Sequence, residues 1–163
     1  MPSGKTARNP DPAAAFARWQ QEILAHSPDL TPDLYADDVV VEAPFTGTGQ
    51  PHRIEGLAAY AEFVRAGRAS LPFRFTGFED VLVHHTEDPA TAVVEYRLLG
   101  QLAGQVRSAP FLVVVTVDEQ DRIVRWREYQ DRPAIAAALA AATPPNGSTS
   151  PTPRRPRRRI WRP

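Results

Sequence analysis

The residues with the clearest chemical potential lie in one stretch near the end of the chain, residues 123–131. Alternate residues of a strand share a face, so Glu128 is expected beside Trp126 and Val124, with Gln130 on the same face. Burial among apolar groups raises the pKa of a carboxyl, which can then act as a general acid or base near neutral pH. The alternative is a structural glutamate that pairs with an arginine of a neighbouring strand.

A second acid and base lie two residues apart on the predicted strand 92–99. Glu95 and Arg97 share a face with Val93 and Leu99. Such a pair can bind a polar substrate or orient a water molecule. The alternative is a cross-strand ion pair, and exposed pairs of this kind contribute little to stability.

Several other chemistries have no support in the sequence. The chain has no Cys, which excludes disulfides, thiol catalysis and Cys-ligated zinc. His84 and His85 are adjacent and point to opposite faces of a strand, while His26 and His52 are isolated in predicted loops. No phosphate-binding glycine loop and no Gly-x-Ser-x-Gly motif occurs. We therefore expect no metal and no cofactor.

The composition describes one acidic domain with two tails. The 163 residues are 42% hydrophobic with a net charge of zero, but residues 143–163 carry six Arg and no acid. The remainder has 13 Lys and Arg against 19 Asp and Glu. We expect residues 1–12 and 143–163 to be disordered, because these Pro-rich segments bury little apolar surface, and residues 13–142 to fold. The arginine tail could contact nucleic-acid phosphates, but with no folded reading element a nucleic-acid partner is not expected.

No membrane or secretion signal is predicted from the sequence. There is no apolar run of 18 or more residues that could span a bilayer. The first ten residues also lack the apolar segment of a secretory signal. The expected location is the cytoplasm.

The elements that must position Glu128 follow from hydrophobic periodicity and from breaks at Pro and Gly. Helices are predicted at residues 13–25, 54–69 and 132–142, a helical turn at 32–35, and strands at 39–41, 73–83, 92–99, 111–117 and 123–130. Short turns between the last four strands favour an antiparallel sheet. The predicted fold class is α+β, with helices over the concave face of a curved, cone-shaped antiparallel sheet.

Three segments carry a resemblance to a known superfamily. They are Leu-Tyr-Ala-Asp-Asp-Val-Val-Val-Glu-Ala-Pro at residues 34–44, Ile-Glu-Gly at 54–56, and Asp-Arg-Ile-Val-Arg-Trp-Arg-Glu-Tyr at 121–129. The chain resembles the nuclear transport factor 2-like superfamily and its SnoaL-like domains. The resemblance implies a cone-shaped α+β barrel, a deep apolar pocket and a homodimer. That fold hosts isomerases, polyketide cyclases, dehydratases, epoxide hydrolases and non-enzymes.

Two subfamilies are most similar, the phenazine-biosynthesis type and the limonene-epoxide-hydrolase type. The resemblance to both implies that Glu128 is a pocket acid. In the second type an Arg-x-Asp pair falls near Glu95 and Arg97, in reversed order. Val41 and Ala43 occupy the positions of its water-binding Tyr and Asn, and these side chains do not form hydrogen bonds. Ala43 also falls where the related ketosteroid isomerases have their base.

These observations together predict a small cofactor-independent enzyme of secondary metabolism. It would transfer a proton on an apolar, cyclic or polyketide-like molecule, with Glu128, Arg97 and Glu95 as catalytic residues. The predicted substrate-binding residues are Trp126, Phe45, Tyr96, Trp19, Tyr60 and His52. The alternatives are a non-catalytic domain that binds a ligand or a protein partner, and an epoxide hydrolase or cyclase.

Overall fold

The structure, a computed structural model, describes residues 9–140. Three helices and six strands occur in this part of the chain. They are α1 (Pro12–Ala25), β1 (Tyr35–Glu42), β2 (Arg53–Glu55), α2 (Leu57–Ser70), β3 (Arg74–His85), β4 (Thr91–Leu102), β5 (Gln105–Val117), β6 (Ile123–Gln130) and α3 (Arg132–Ala140). The predicted tail at residues 143–163 and residues 1–8 of the other lie outside the described residues, and Pro12, assigned to the first tail, begins α1.

The six strands form one curved, unclosed sheet with the order β2-β1-β6-β5-β4-β3. Neighbouring strands are antiparallel except β1 and β6, which are parallel. The α+β class is confirmed, and the sheet is mixed rather than wholly antiparallel. The parallel pair places the first strand beside the strand that carries Glu128.

Three local predictions at the start and middle of the chain need correction. β1 begins at Tyr35, where a helical turn was expected, because Tyr35 pairs with Ile123 of β6. The short strand β2 replaces the expected first turn of the second helix, which begins at Leu57. β4 and β5 run further than predicted, because Ala103 and Gly104 turn the chain tightly with φ values of 49° and 78°.

Helix α1 covers the inner face of the sheet. It begins as the sequence predicts, with the Asp11 side chain accepting a hydrogen bond of 2.9 Å from the backbone N–H of Ala14. Phe16 and Trp19 on its buried side pack against Trp126 of β6, with ring centroids 6.2 Å and 4.6 Å away. This aromatic contact fixes the inner surface from which Glu128 extends.

A bulge in β6 changes which residues share a face. Thr116 pairs with Arg125 and Val117 pairs with Ile123, so Val124 is an extra residue between the two pairs. Ile123 is fully buried in the core with Trp126. The predicted alternation is therefore wrong for Ile123, which lies inside and not with the arginines, and it holds after the bulge.

Candidate active site

An open cavity of about 660 Å³ lies between the inner face of the sheet and helices α2 and α3. Most of its lining is apolar, with contributions from the end of α2, from β4 and β5, and from α3. Trp19, Tyr60, Trp126, Glu128 and Gln130 all border it. A mostly apolar cavity with a few converging polar groups is the usual form of a small-molecule site.

The Glu128 carboxyl accepts hydrogen bonds from three uncharged donors. Its Oε1 accepts from the amide nitrogen of Gln130 at 2.6 Å. Its Oε2 accepts from the Trp126 indole nitrogen and from the Tyr96 hydroxyl, both at 3.3 Å. No Arg, Lys or His among residues 9–140 forms an ion pair with it. The alternative of a Glu128–arginine pair is therefore not found in the described structure.

Burial raises the pKa of Glu128 above its ordinary value of 4.5. The hydrogen bonds from Gln130, Trp126 and Tyr96 act in the opposite direction, because they stabilise the carboxylate. Burial has the larger effect, so the protonated and ionised forms are closer in free energy near neutral pH than in an exposed glutamate. A group in this state can both accept and return a proton.

Gln130 orients the carboxyl through both ends of its amide. Its nitrogen donates to Glu128, while its oxygen accepts a hydrogen bond of 3.3 Å from Arg132 at the start of α3. Arg132 thus fixes which end of the amide faces Glu128. The sequence placed Gln130 on the correct face without assigning it a role, although its position two residues after Glu128 was a usable signal.

A second polar group in the cavity is Tyr60 of α2. Its ring packs edge-on against Tyr35, with centroids 5.3 Å apart. Burial raises the pKa of Tyr60, and the nearby charges of Glu22 and Glu128 raise it further. The Tyr60 hydroxyl therefore stays protonated, and it lies against the Tyr35 hydroxyl, which itself donates to Glu22.

The structure separates Glu128 from the other two residues that the sequence assigned to catalysis. Along β4, Tyr96 is buried on the inner face, whereas Glu95 is exposed on the outer face. Arg97 shares that outer face and donates to Ser108 at 2.8 Å, and Glu95 pairs with His84 at 2.9 Å. Glu95 and Arg97 are thus in cross-strand contacts, and Tyr96 between them reaches the carboxyl instead.

The predicted substrate-binding residues also divide into two groups. Trp126, Trp19 and Tyr60 border the cavity, and Tyr96 contacts Glu128 beside it. Phe45 is 63% exposed and packs against Tyr129 of the outer face. His52 is exposed and forms a hydrogen bond of 3.1 Å with Thr46. Neither Phe45 nor His52 borders the cavity.

Two features are absent from the described residues. Within residues 9–140, no three His, Asp or Glu side chains converge closely enough to hold a metal ion. None of α1, α2 and α3 is long and apolar enough to cross a membrane.

Comparison with known proteins places the chain in a family. Residues 14–126 match the SnoaL-like domain, and the protein therefore belongs to the SnoaL-like family of the nuclear transport factor 2-like superfamily. The chain is 26% identical over 113 residues to the uncharacterized protein YesE of Bacillus subtilis, covering 68% of this chain and 74% of that one.

Solved structures share the fold at low sequence identity. One from Bacillus subtilis, provisionally assigned as an isomerase, has a TM-score of 0.69 and 22% identity, covering 78% of this chain and 91% of that one. A phenazine biosynthesis-related protein from Pseudomonas aeruginosa has a TM-score of 0.58 and 22% identity, covering 86% and 92%. The predicted superfamily is confirmed. The homodimer and the cytoplasmic location stay predictions.

Proposed function

We propose that the protein is a cofactor-independent enzyme that moves a proton on an apolar, cyclic or polyketide-like ketone, with Glu128 as the acid and base. The single observation that carries the proposal is a carboxyl with a raised pKa, bordering an apolar cavity and held only by uncharged donors. Proteins of this fold include structures provisionally assigned as polyketide cyclases, which supports a ketone as the substrate class.

The proposed step is the removal of a proton from the carbon next to a carbonyl. The Glu128 carboxylate accepts this proton, and the electron pair of the C–H bond moves to the carbonyl oxygen as an enolate. Return of the proton from Glu128 to the same or another carbon gives exchange or isomerisation. Attack by the enolate carbon on a second carbonyl forms a carbon–carbon bond, and Glu128 returns its proton to the resulting alkoxide, which gives cyclisation.

Exchange of carbon-bound protons tests this step without the natural substrate. The probe is 2-tetralone, an apolar cyclic ketone, in D₂O, with loss of its α-proton signals followed by NMR. We expect the wild-type protein to accelerate this exchange and Glu128→Gln to reduce the acceleration by at least about 100-fold. Circular dichroism shows whether the variant is folded.

Glu95→Gln is the matched control for the exchange experiment. It makes the same chemical change on the outer face of the sheet, away from the cavity. We expect its exchange rate to equal that of the wild type. Equal exchange rates in Glu128→Gln and the wild type would contradict the assignment of Glu128, and binding of the ketone without exchange would favour the non-catalytic ligand-binding domain.

The epoxide hydrolase alternative has less support from the arrangement of acids. An epoxide hydrolase from Mycobacterium tuberculosis shares the fold, so the activity belongs to the repertoire of this architecture. Glu95, the other carboxylate that the sequence assigned to catalysis, lies on the opposite face of the sheet. Glu128 is the only acidic side chain among the described residues that border the cavity. We therefore favour proton transfer on a ketone.

A further inference from the structure

The charged residues that border the cavity are unequal in number. Three arginines, Arg68, Arg107 and Arg132, border it together with the single acid Glu128. Arg68 is neutralised by a direct ion pair with Glu22 at 2.8 Å. Arg107 and Arg132 form no ion pair with a carboxylate among residues 9–140. The cavity therefore carries an excess of positive charge.

Arg107 of β5 has an unused hydrogen-bond donor. Its Nη1 donates to the carbonyl of Val106 at 3.4 Å, and its Nη2 donates to the side-chain oxygen of Gln105. Its Nε is buried and has no hydrogen-bond partner among the described residues. The guanidinium is thus held only by neutral acceptors, and an anionic group of a ligand that reaches its Nη atoms would supply the missing charge.

Arg107 also lies on the correct face of its strand for contact with a ligand. Along β5 the inner residues alternate, and Ala109 and Phe111 on the same face also border the cavity. The rest of the lining is mainly apolar. A ligand that fills such a site needs a hydrophobic body with one anionic group.

We propose that Arg107 is the anchor of a carboxylate subsite and that the ligand of this cavity is an apolar acid. The carboxylate accepts hydrogen bonds from the Nη atoms of Arg107, and the hydrophobic body lies along the cavity toward Glu128. Arg132 adds positive potential to the same cavity without a direct role. This inference names the substrate class of the proposed function and rests on the use of this cavity as the ligand site.

Two probes of the same shape, one anionic and one uncharged, distinguish the effect of the ligand's charge from the effect of its hydrophobic contacts. They are 1-naphthaleneacetate and its uncharged amide, 1-naphthaleneacetamide, titrated into the full-length protein by calorimetry. We expect the wild type to bind the acetate about tenfold more tightly than the amide, because hydrogen bonds to charged groups are stronger than those to neutral ones. Equal affinities, or no binding of either probe at millimolar concentration, would overturn the proposal.

Variants locate the preference on one side chain. Arg107→Met should remove the preference for the acetate and leave the affinity for the amide unchanged. Arg107→Lys should reduce the preference for the acetate only partly, because the positive charge remains. Arg65→Met is the matched control, since Arg65 forms an exposed ion pair with Asp29 outside the cavity. A tenfold preference that survives in both Arg107 variants would refute the subsite.

The experiment also distinguishes this inference from the proposed function. Glu128→Gln should keep the preference for the acetate, because the anchor is elsewhere in the cavity. If the wild type shows no ketone exchange but prefers the acetate through Arg107, proton transfer fails and the carboxylate subsite stands. If the wild type exchanges the ketone protons but shows no preference for the acetate, proton transfer stands and the carboxylate subsite fails.

Discussion

Two glutamates, Glu22 of α1 and Glu128 of β6, have different hydrogen-bond partners. Glu22 of α1 is 3% exposed and contacts the Arg68 guanidinium at 2.8 Å, with further hydrogen bonds from the Thr31 backbone and the Tyr35 hydroxyl. Glu128 has donors of similar number, but all are uncharged. The two carboxyls therefore differ in whether a cation is present, and Glu128 is also partly exposed to the cavity that it borders.

This difference separates a structural role from a chemical one. The Glu22–Arg68 pair joins α1 to α2 and to the segment that leads into β1. A buried carboxyl without a cation has a raised pKa and can change its protonation state. The comparison predicts that breaking the Glu22 cluster affects stability, whereas changing Glu128 affects reactivity.

The largest expected effect on stability follows from Arg68→Met. This change leaves the Glu22 carboxylate buried without its cation, and we expect a loss of about 3 kcal/mol in the free energy of unfolding. Denaturant unfolding followed by circular dichroism measures it. Arg53→Met is the control, because Arg53 pairs with Glu42 and Glu55 at the surface, where such pairs contribute about 0–1 kcal/mol. Equal losses of unfolding free energy in Arg68→Met and Arg53→Met would contradict a structural role for the Glu22–Arg68 pair.

A smaller effect, of opposite sign, is expected for the stability of Glu128→Gln. Because the pKa of Glu128 is raised in the folded state, its contribution to stability is largest at low pH and is lost as the pH rises through the folded pKa. Glutamine has no charge to bury, so the melting temperature of the variant relative to the wild type should increase from pH 4 to pH 7.5.

Glu62→Gln provides the matched control for these melting curves. Glu62 lies on the exposed side of α2, so this variant shows what the loss of any surface carboxylate does across the same pH range. A relative melting temperature of Glu128→Gln that falls with pH, or that follows the Glu62→Gln curve, would contradict a raised pKa.

The fold was predictable from the sequence where neighbouring segments determine it. The cap at Asp11, the helix α1 and the hairpins from β3 to β6 all depend on short-range patterns. The parallel pairing of β1 with β6 joins Tyr35 to Ile123 across most of the domain, and no local pattern reports such a contact. The bulge at Val124 was also hidden, because alternation alone assumes an unbroken strand.

The candidate site was predictable in part for a similar reason. Alternation after the bulge correctly placed Glu128 beside Trp126 and Gln130. On β4 the sequence analysis assigned catalysis to the charged residues Glu95 and Arg97. The residue between them, Tyr96, is the one that faces the Glu128 carboxyl. Alternation in a sequence shows which residues of a strand share a face, but it does not show which of the two faces packs against the helices. A shift of one residue in the strand pairing moves every side chain to the other face.

The pKa of Glu128 in the free protein tests the central claim most directly. Carbon-detected NMR of protein with ¹³C-labelled glutamate side chains follows each carboxyl with pH, and the signal missing from Glu128→Gln identifies residue 128. We expect its midpoint to lie above the ordinary value of 4.5, and we expect Trp126 indole shifts to move with the same midpoint because its N–H contacts the carboxyl. A midpoint at or below 4.5 would contradict the assignment of Glu128 as the proton-transfer group.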